Sequence, residues 1–306
     1  MILVAGEALM DVLAEPGGRL TALPGGASFN VARATAALGA ECTFLGRLSD
    51  DGFGEQLRAV LDEAGVALGV SAPTPAPTPL AVATLDAAGS AQYRFYHDHS
   101  AASRLFPDAA ASALVGQADV MVVGGIVLTV EPARATLLGL LESAPAQLTV
   151  LCDPNCRPGA IHDLPAYRQT VGAFLRRADL VKASVEDLAL LAPDAAPIAG
   201  ARRLIAAGPA AVLVTDGPAP VHVVTASEVR AVPVPAVDVV DTIGAGDAFV
   251  AGFVTWWTAH GTPRTAAGDP ATLETATRSA VEVAARACRV RGAGLAADLT
   301  WEAGAA

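Results

Sequence analysis

The sequence predicts an α/β fold in which a mostly parallel sheet carries helices on both faces. Three observations support this. From Asp119 onward, strand-like runs at 120–123, 148–152, 180–182 and 211–215 alternate with helical patterns, the clearest at about 132–141 and 167–176. Those runs are apolar at nearly every residue, as strands buried on both faces require. Two further helical patterns close the chain, at about 245–260 and 273–289. Its 306 residues suffice for one large core.

The N-terminal part follows the same rhythm with one interruption. A strand at 2–4 leads through a loop bearing Glu7 and Asp11 to Gly25-Gly26. A helix is expected over 28–38, with Ser28 as its N-cap and Gly39 closing it. A strand at 42–45 and a helix at about 53–64 follow, the latter with Phe53, Leu57, Val60 and Leu61 at helical spacing. Residues 71–79 (SAPTPAPTP) read as a stiff connector. Residues 80–85 and 92–97 flank Asp86-Ala87-Ala88-Gly89-Ser90, a hairpin pattern that breaks the alternation and is expected to stand off the main sheet as part of a lid. Residues 221–224 and 229–234 read as a peripheral hairpin. With no internal repeat or domain-sized linker, 1–306 is expected to be a single domain, with lid strands from about 11–24 and 80–106.

Composition narrows the function. Hydrophobic residues make up 53% and charged residues 17%, which excludes intrinsic disorder. A net charge of −11 argues against nucleic-acid and anionic-membrane surfaces, since both repel it. No basic leader precedes the first strand, and the apolar stretches are broken before membrane-spanning length. Four cysteines without framework spacing suggest reduced thiols, so a cytoplasmic location is expected.

The chemistry concentrates in Asp241-Thr242-Ile243-Gly244-Ala245-Gly246-Asp247-Ala248-Phe249. Small residues here precede an apolar helix and permit close backbone approach to a ligand. The helix start leaves N–H groups without internal partners, at the positive end of the macrodipole, where an anion binds. Asp247 adds a carboxylate beside that anion site. Two negative groups converge sensibly if one handles a proton while the helix end holds phosphoryl charge, which is the pattern of a kinase. No GxxxxGK[ST] loop and no GxGxxG fingerprint occurs.

A set of motifs surrounds this stretch in order: GEALMD, PGGASFN, FLGRLSDDGFG, APTPLAVATLD, YRFYHDHSA, CDPNCRP and VKASVEDL. Together with DTIGAGDAF they make the chain resemble the ribokinase-like (PfkB) carbohydrate kinases, and among them the bacterial fructokinases and close sugar-kinase relatives. The resemblance implies a Rossmann-like three-layer α/β/α domain with a small β-sheet lid. It also implies transfer of the ATP γ-phosphoryl group to a sugar hydroxyl, with Mg²⁺ and a possible requirement for K⁺. Homodimerisation through the lid is common among such proteins and is expected here. Fructose is the expected substrate; 2-keto-3-deoxygluconate, ribose or a nucleoside is the alternative, and a non-catalytic sugar-binding regulator the rival from another class.

The resemblance assigns Asp247 the role of base and gives Gly244, Ala245 and Gly246 the backbone donors for the migrating phosphoryl group. For the sugar, Gly25 and Gly26 permit close approach, Asn30 offers a donor and an acceptor, and Asp11 accepts from hydroxyls. Arg94, Asn155 and Arg157 join them as substrate residues. Lys182, Ser184, Thr215, Gly217 and Thr242 fall on the nucleotide side. In VKASVEDL the family's Asn-x-x-Glu element becomes Ser184-x-x-Asp187, which makes Asp187 the candidate for organising Mg²⁺, with Glu186 as the alternative. Asp241 is the candidate for a monovalent-cation site. His97 and His99 are expected to be solvated polar residues.

Overall fold

The computed structural model describes residues 1–14, 18–70, 72–85 and 91–293. In chain order the N-terminal elements are β1 (Ile2–Ala5), β2 (Leu9–Ala14), β3 (Leu20–Gly25), α1 (Ala27–Ala37), β4 (Cys42–Leu45), α2 (Gly52–Glu63), β5 (Ala67–Leu68), β6 (Leu80–Leu85) and β7 (Ala91–Tyr96). The chain continues through α3 (Ala109–Gln117), β8 (Val120–Gly124), α4 (Ala133–Glu142), β9 (Thr149–Asp153), α5 (Leu164–Leu175), β10 (Leu180–Ser184), α6 (Val185–Leu191) and α7 (Pro197–Ile205). It ends with β11 (Ala211–Thr215), β12 (Val221–Thr225), β13 (Val229–Val232), α8 (Ala245–Ala259) and α9 (Pro270–Ala287).

These strands form a nine-stranded sheet in the order β13-β12-β11-β10-β9-β8-β1-β4-β5. The run from β11 to β5 is parallel, and β12 and β13 add antiparallel edge strands. Side chains alternate between two cores along each central strand. Leu3, Ala5, Met121, Val123, Cys152 and Val181 join α4 and α5 on one face. Ile2, Val4, Val120, Val122, Leu151 and Leu180 join Phe29 of α1, Phe253 and Trp257 of α8 and Leu273 of α9 on the other. The result is a three-layer α/β/α body. The near-continuous apolar runs are the sequence trace of this two-sided burial.

A second sheet, in the order β3-β2-β6-β7, stands apart from the first. β2 pairs antiparallel with β3 and parallel with β6, and β6 pairs antiparallel with β7. Asp11, read from sequence as a loop residue, therefore sits within strand β2. The expected hairpin turn at 86–90 and Ser71 of the connector lie outside the described residues.

One local expectation is corrected. α1 begins at Ala27 with Gly26 at its N-cap, and Ser28 is a buried helical residue instead of the cap. Glu7 does the capping from outside the helix: its carboxylate accepts from the N–H of Ala27 at 3.0 Å. Gly26 has φ 105°, a left-handed conformation, and a Cβ there would press on the Glu7 carbonyl oxygen at 3.0 Å. A glycine is therefore required where the chain leaves β3 for the helix.

Candidate active site

Between the carboxyl ends of the parallel strands and the second sheet lies a cavity of about 800 Å³. Ligands collect at this edge of an open α/β sheet because helix N-termini and loops, not packed strands, face it there. β10 and β11 end at its wall with Ser184 and Thr215, and the turn after β9 brings Asn155 and Arg157. Asn155 is buried with φ 42°, a left-handed turn conformation that Asn tolerates better than most residues.

The start of α8 forms the cavity's anionic end. Gly244 is its N-cap in the left-handed region (φ 77°), and Gly244, Gly246, Asp247 and Thr242 all line the wall. Ala245 does not: its N–H is turned to the Thr242 carbonyl at 3.2 Å, so the donors available to a ligand lie beside it. Asp247 is buried, and its Oδ2 accepts from Asn30 Nδ2 at 2.9 Å. Burial raises the Asp247 carboxyl above its ordinary range, while the Asn30 hydrogen bond and the Lys182 and Arg157 charges pull it back. Asn30 Oδ1 is buried without a partner, although an amide oxygen ordinarily accepts a hydrogen bond. A donor from a ligand would satisfy it.

Lys182 comes up from β10 beneath this helix start. Its Nζ lies 3.2 Å from Asp153 Oδ2, both groups being buried. It also lies 3.2 Å from where a Cβ on Gly246 would stand. Burial alone would lower this lysine, but the carboxylates of Asp153, Asp187 and Asp247 raise it, so it stays an ammonium. Asp153, Lys182's buried partner, was missed in the sequence because DPNCRP reads as a turn. The alternation of cation and acid at the ends of adjacent strands could have suggested it.

The sugar-facing candidates divide in an instructive way. Asp11, Gly26, Asn30, Asn155 and Arg157 are on the wall. Gly25 is not; it makes room for Asp11, whose Oδ2 would lie 2.0 Å from a Cβ at that position. Arg94 is corrected: it is exposed and off the wall, while Tyr93 and Phe95 line it. Strand alternation is the reason, since Phe95 and Tyr93 pair with Ala81 and Ala83 of the wall, whereas Arg94 pairs with Val82. Burial lifts Asp11 to about 6, against the opposing charge of Arg157.

Sequence reasoning also passed over Glu7, a buried acid on the cavity wall. Burial lifts it to about 7, against backbone donors that include Ala27 and Val127. Gly125 (φ 75°) leaves space for this carboxylate; a Cβ there would stand 2.6 Å from Glu7 Oε2.

Among the nucleotide-side and cation candidates, Ser184, Thr215, Lys182 and Thr242 line the cavity and Gly217 does not. Asp187 faces the cavity, but both its oxygens are already engaged. Oδ1 accepts from Cys156 N at 2.7 Å, and Oδ2 accepts from Ser184 N and Oγ at 2.8 and 2.9 Å. It closes a capping box with Ser184 at the start of α6. Asp241 holds a turn together, accepting from Ile243 N at 3.0 Å and Gly292 N at 2.9 Å.

The model of the pfkB family of carbohydrate kinases matches residues 1–299. The chain belongs to the pfkB family. It is 37% identical to the fructokinase of Klebsiella pneumoniae over 265 residues, 86% of each protein. The crystal structure of the Xylella fastidiosa fructokinase with bound ATP superposes with a TM-score of 0.83 at 31% identity, covering 95% of this chain and 93% of that one. The Vibrio cholerae O395 fructokinase in its fructose-, ADP- and calcium-bound form gives 0.81 at 25% identity, over 95% and 94%. Like other pfkB kinases, the chain is a phosphotransferase with an alcohol group as acceptor.

Proposed function

We propose that this pfkB kinase is a fructokinase in which Asp247 takes the proton from the acceptor hydroxyl. The observation that carries the reading is the Asn30–Asp247 pair. One arm of the Asn30 amide holds the carboxylate at 2.9 Å, while its buried Oδ1 stays unpartnered. A sugar with adjacent hydroxyls supports both groups at once, donating to Asn30 Oδ1 and presenting its reacting hydroxyl to Asp247. Asp11, Asn155 and Arg157 surround the same space, with Tyr93 and Phe95 of the second sheet as an apolar cover. That sheet acts as the lid in this reading, excluding water while the group is transferred.

The γ-phosphoryl group of ATP would sit at the N-terminus of α8, where the helix dipole, the remaining backbone donors and Lys182 stabilise its charge. Ser184, Thr215 and Thr242 would flank the rest of the nucleotide. Mg²⁺ would neutralise the phosphates; because it retains several waters, Asp187 fits as an acceptor for those waters through its remaining lone pair, not as a direct ligand. Asp241 would contribute a carboxylate oxygen to a K⁺ site. The exposed Leu20 and Tyr96 of the second sheet, neither of which lines the cavity, support homodimerisation through it. We place the enzyme in the cytoplasm, where ATP and Mg²⁺ are available.

The test is ADP release across ketoses, aldoses, keto-acids and nucleosides, with Asp247→Asn as control. Fructose should give the largest kcat/KM. Strong turnover of another sugar with none of fructose would overturn the fructose assignment and leave the family standing.

A further inference from the structure

His97 and His99, side by side in the sequence reading, part company in the structure. His99 is an exposed turn residue with φ 55°. His97, directly after β7, is 1% exposed. Its neighbours are Asp98 and, from far along the chain, His162. One ligand atom from each of His97, Asp98 and His162 lies within 4.8 Å of the others.

The protonation of His97 follows from its surroundings. The Thr129 hydroxyl donates its single hydrogen to the Ile126 carbonyl at 2.7 Å. Toward His97 Nε2, 3.2 Å away, it therefore accepts, and the imidazole hydrogen sits on Nε2. Nδ1 is left with a lone pair, buried and without a hydrogen-bond partner. The Phe95 and Ala160 carbonyls lie close enough to the ring to favour its protonated form, although neither meets hydrogen-bond geometry at Nδ1. A neutral imidazole with one nitrogen fixed by a hydroxyl and the other bare is the form in which histidine ligates metals.

The other two groups match. His162 Nε2 and Asp98 Oδ2 stand 3.3 Å apart. Two ligands on a tetrahedral ion with bonds of about 2.0 Å are separated by about 3.3 Å. Their side chains are 69% and 64% exposed, so they have an aqueous approach and room to close on an ion. The His97 and His162 rings lie 5.8 Å apart and within 7° of parallel. An ordinary surface ion pair accounts for His162 and Asp98 but leaves the buried His97 Nδ1 unexplained.

We propose that His97, Asp98 and His162 form a binding site for a divalent transition ion of the zinc type, with water in the fourth position. Two imidazoles and a carboxylate suit Zn²⁺ and Co²⁺ better than Mg²⁺ or Ca²⁺, which favour all-oxygen sets. Thr129 would be the outer partner that fixes the His97 tautomer. The ion would join the end of β7 to the segment following Arg157, Pro158 and Gly159 of the cavity wall, clipping the second sheet to the main body. None of the three residues lines the cavity proposed to take the sugar and Mg²⁺–ATP.

Titration of the tag-free full-length protein with CoCl₂, without ATP, tests this. One equivalent should produce the intense visible d–d bands of tetrahedral Co²⁺, and these should be displaced by Zn²⁺. His162→Ala and Asp98→Asn, both at exposed positions, should each weaken binding at least about 10-fold, and Thr129→Val about 10- to 100-fold. With both proteins stripped of transition ions and then given Mg²⁺ and ATP, His162→Ala should phosphorylate at the wild-type rate, showing that the variant is folded. Absence of the bands, or Co²⁺ affinity unchanged in the Asp98→Asn/His162→Ala double variant, would overturn the proposal.

Discussion

Asn30 Nδ2 donates to Asp247 Oδ2 at 2.9 Å, joining the first turns of α1 and α8 across 217 residues of sequence. In the proposed reading the sugar lies against α1 and the phosphoryl group against α8. A displacement of α1 therefore moves the carboxylate proposed to act on the acceptor hydroxyl.

Asp247→Asn should lower kcat by about 10²- to 10⁴-fold, the usual contribution of a positioned base. Circular dichroism and Tm should stay close to wild type, because the amide keeps the shape and removes a buried charge. Turnover near the wild-type rate in the purified variant would remove Asp247 from the base role.

Asn30→Ala should shift the pH profile as well as weaken sugar binding. Burial raises the Asp247 carboxyl and the Asn30 hydrogen bond lowers it. Without that donor Asp247 holds its proton to higher pH, so the acid limb of kcat/KM must move upward. An acid limb that stays in place, with only KM raised, would mean that Asn30 touches sugar without tuning the base.

Glu7 ties stability to pH. Its folded value of about 7 exceeds the ordinary 4.5, so between these values the folded state binds more protons than the unfolded chain. The sign is then fixed: this carboxyl's contribution to stability is greatest below 4.5 and declines as pH rises toward 7. Asp11 and Asp153, each lifted to about 6, slope the same way, and His97, held down by burial, acts oppositely below its ordinary 6.5, so wild type alone would mix these groups. The comparison with Glu7→Gln isolates Glu7. The variant should gain on wild type by about 1.4 kcal/mol per pH unit across the window, read from denaturant midpoints. A parallel pair of curves would show that Glu7 does not titrate there.

What the sequence disclosed follows from how local each signal is. The strands of the parallel sheet were legible because both faces are buried, leaving continuous apolar runs such as Ala211–Thr215. DTIGAGDAF was legible because a helix start, its glycines and its acid are contiguous. Glu7 was not: it caps α1 from twenty residues away, and nothing near Ser28 betrays that the cap comes from elsewhere. Arg94 was misplaced because an alternating strand offers two faces, and only pairing with Ala81 and Ala83 shows which one meets the cavity. His162 gave no signal, since its meeting with His97 depends on the crossing of β7 and the segment after β9.

The exposed face of the second sheet should govern association. Leu20 and Tyr96 are 67% and 56% exposed, and neither lines the cavity. Leu20→Glu combined with Tyr96→Asp should convert a homodimer to monomers in light scattering, with the fold intact by circular dichroism. A wild-type protein that is monomeric at micromolar concentration would remove the lid from this role.

Lys182 and Asp153 form a buried ion pair, and such a pair is expensive to break from one side only. Lys182→Met should destabilise the protein by about 3–5 kcal/mol, since the Asp153 carboxylate is left buried and unpaired. Lys182→Met with Asp153→Asn should recover much of that stability because no lone charge remains. It should not recover activity, for the ammonium under Gly246 is also the cation proposed to face the migrating phosphoryl group. The decisive comparison is kcat in the stable double variant. A wild-type kcat there would confine Lys182 to holding the fold, whereas a loss of 10-fold or more with Tm restored would separate its work on phosphate charge from its work on Asp153.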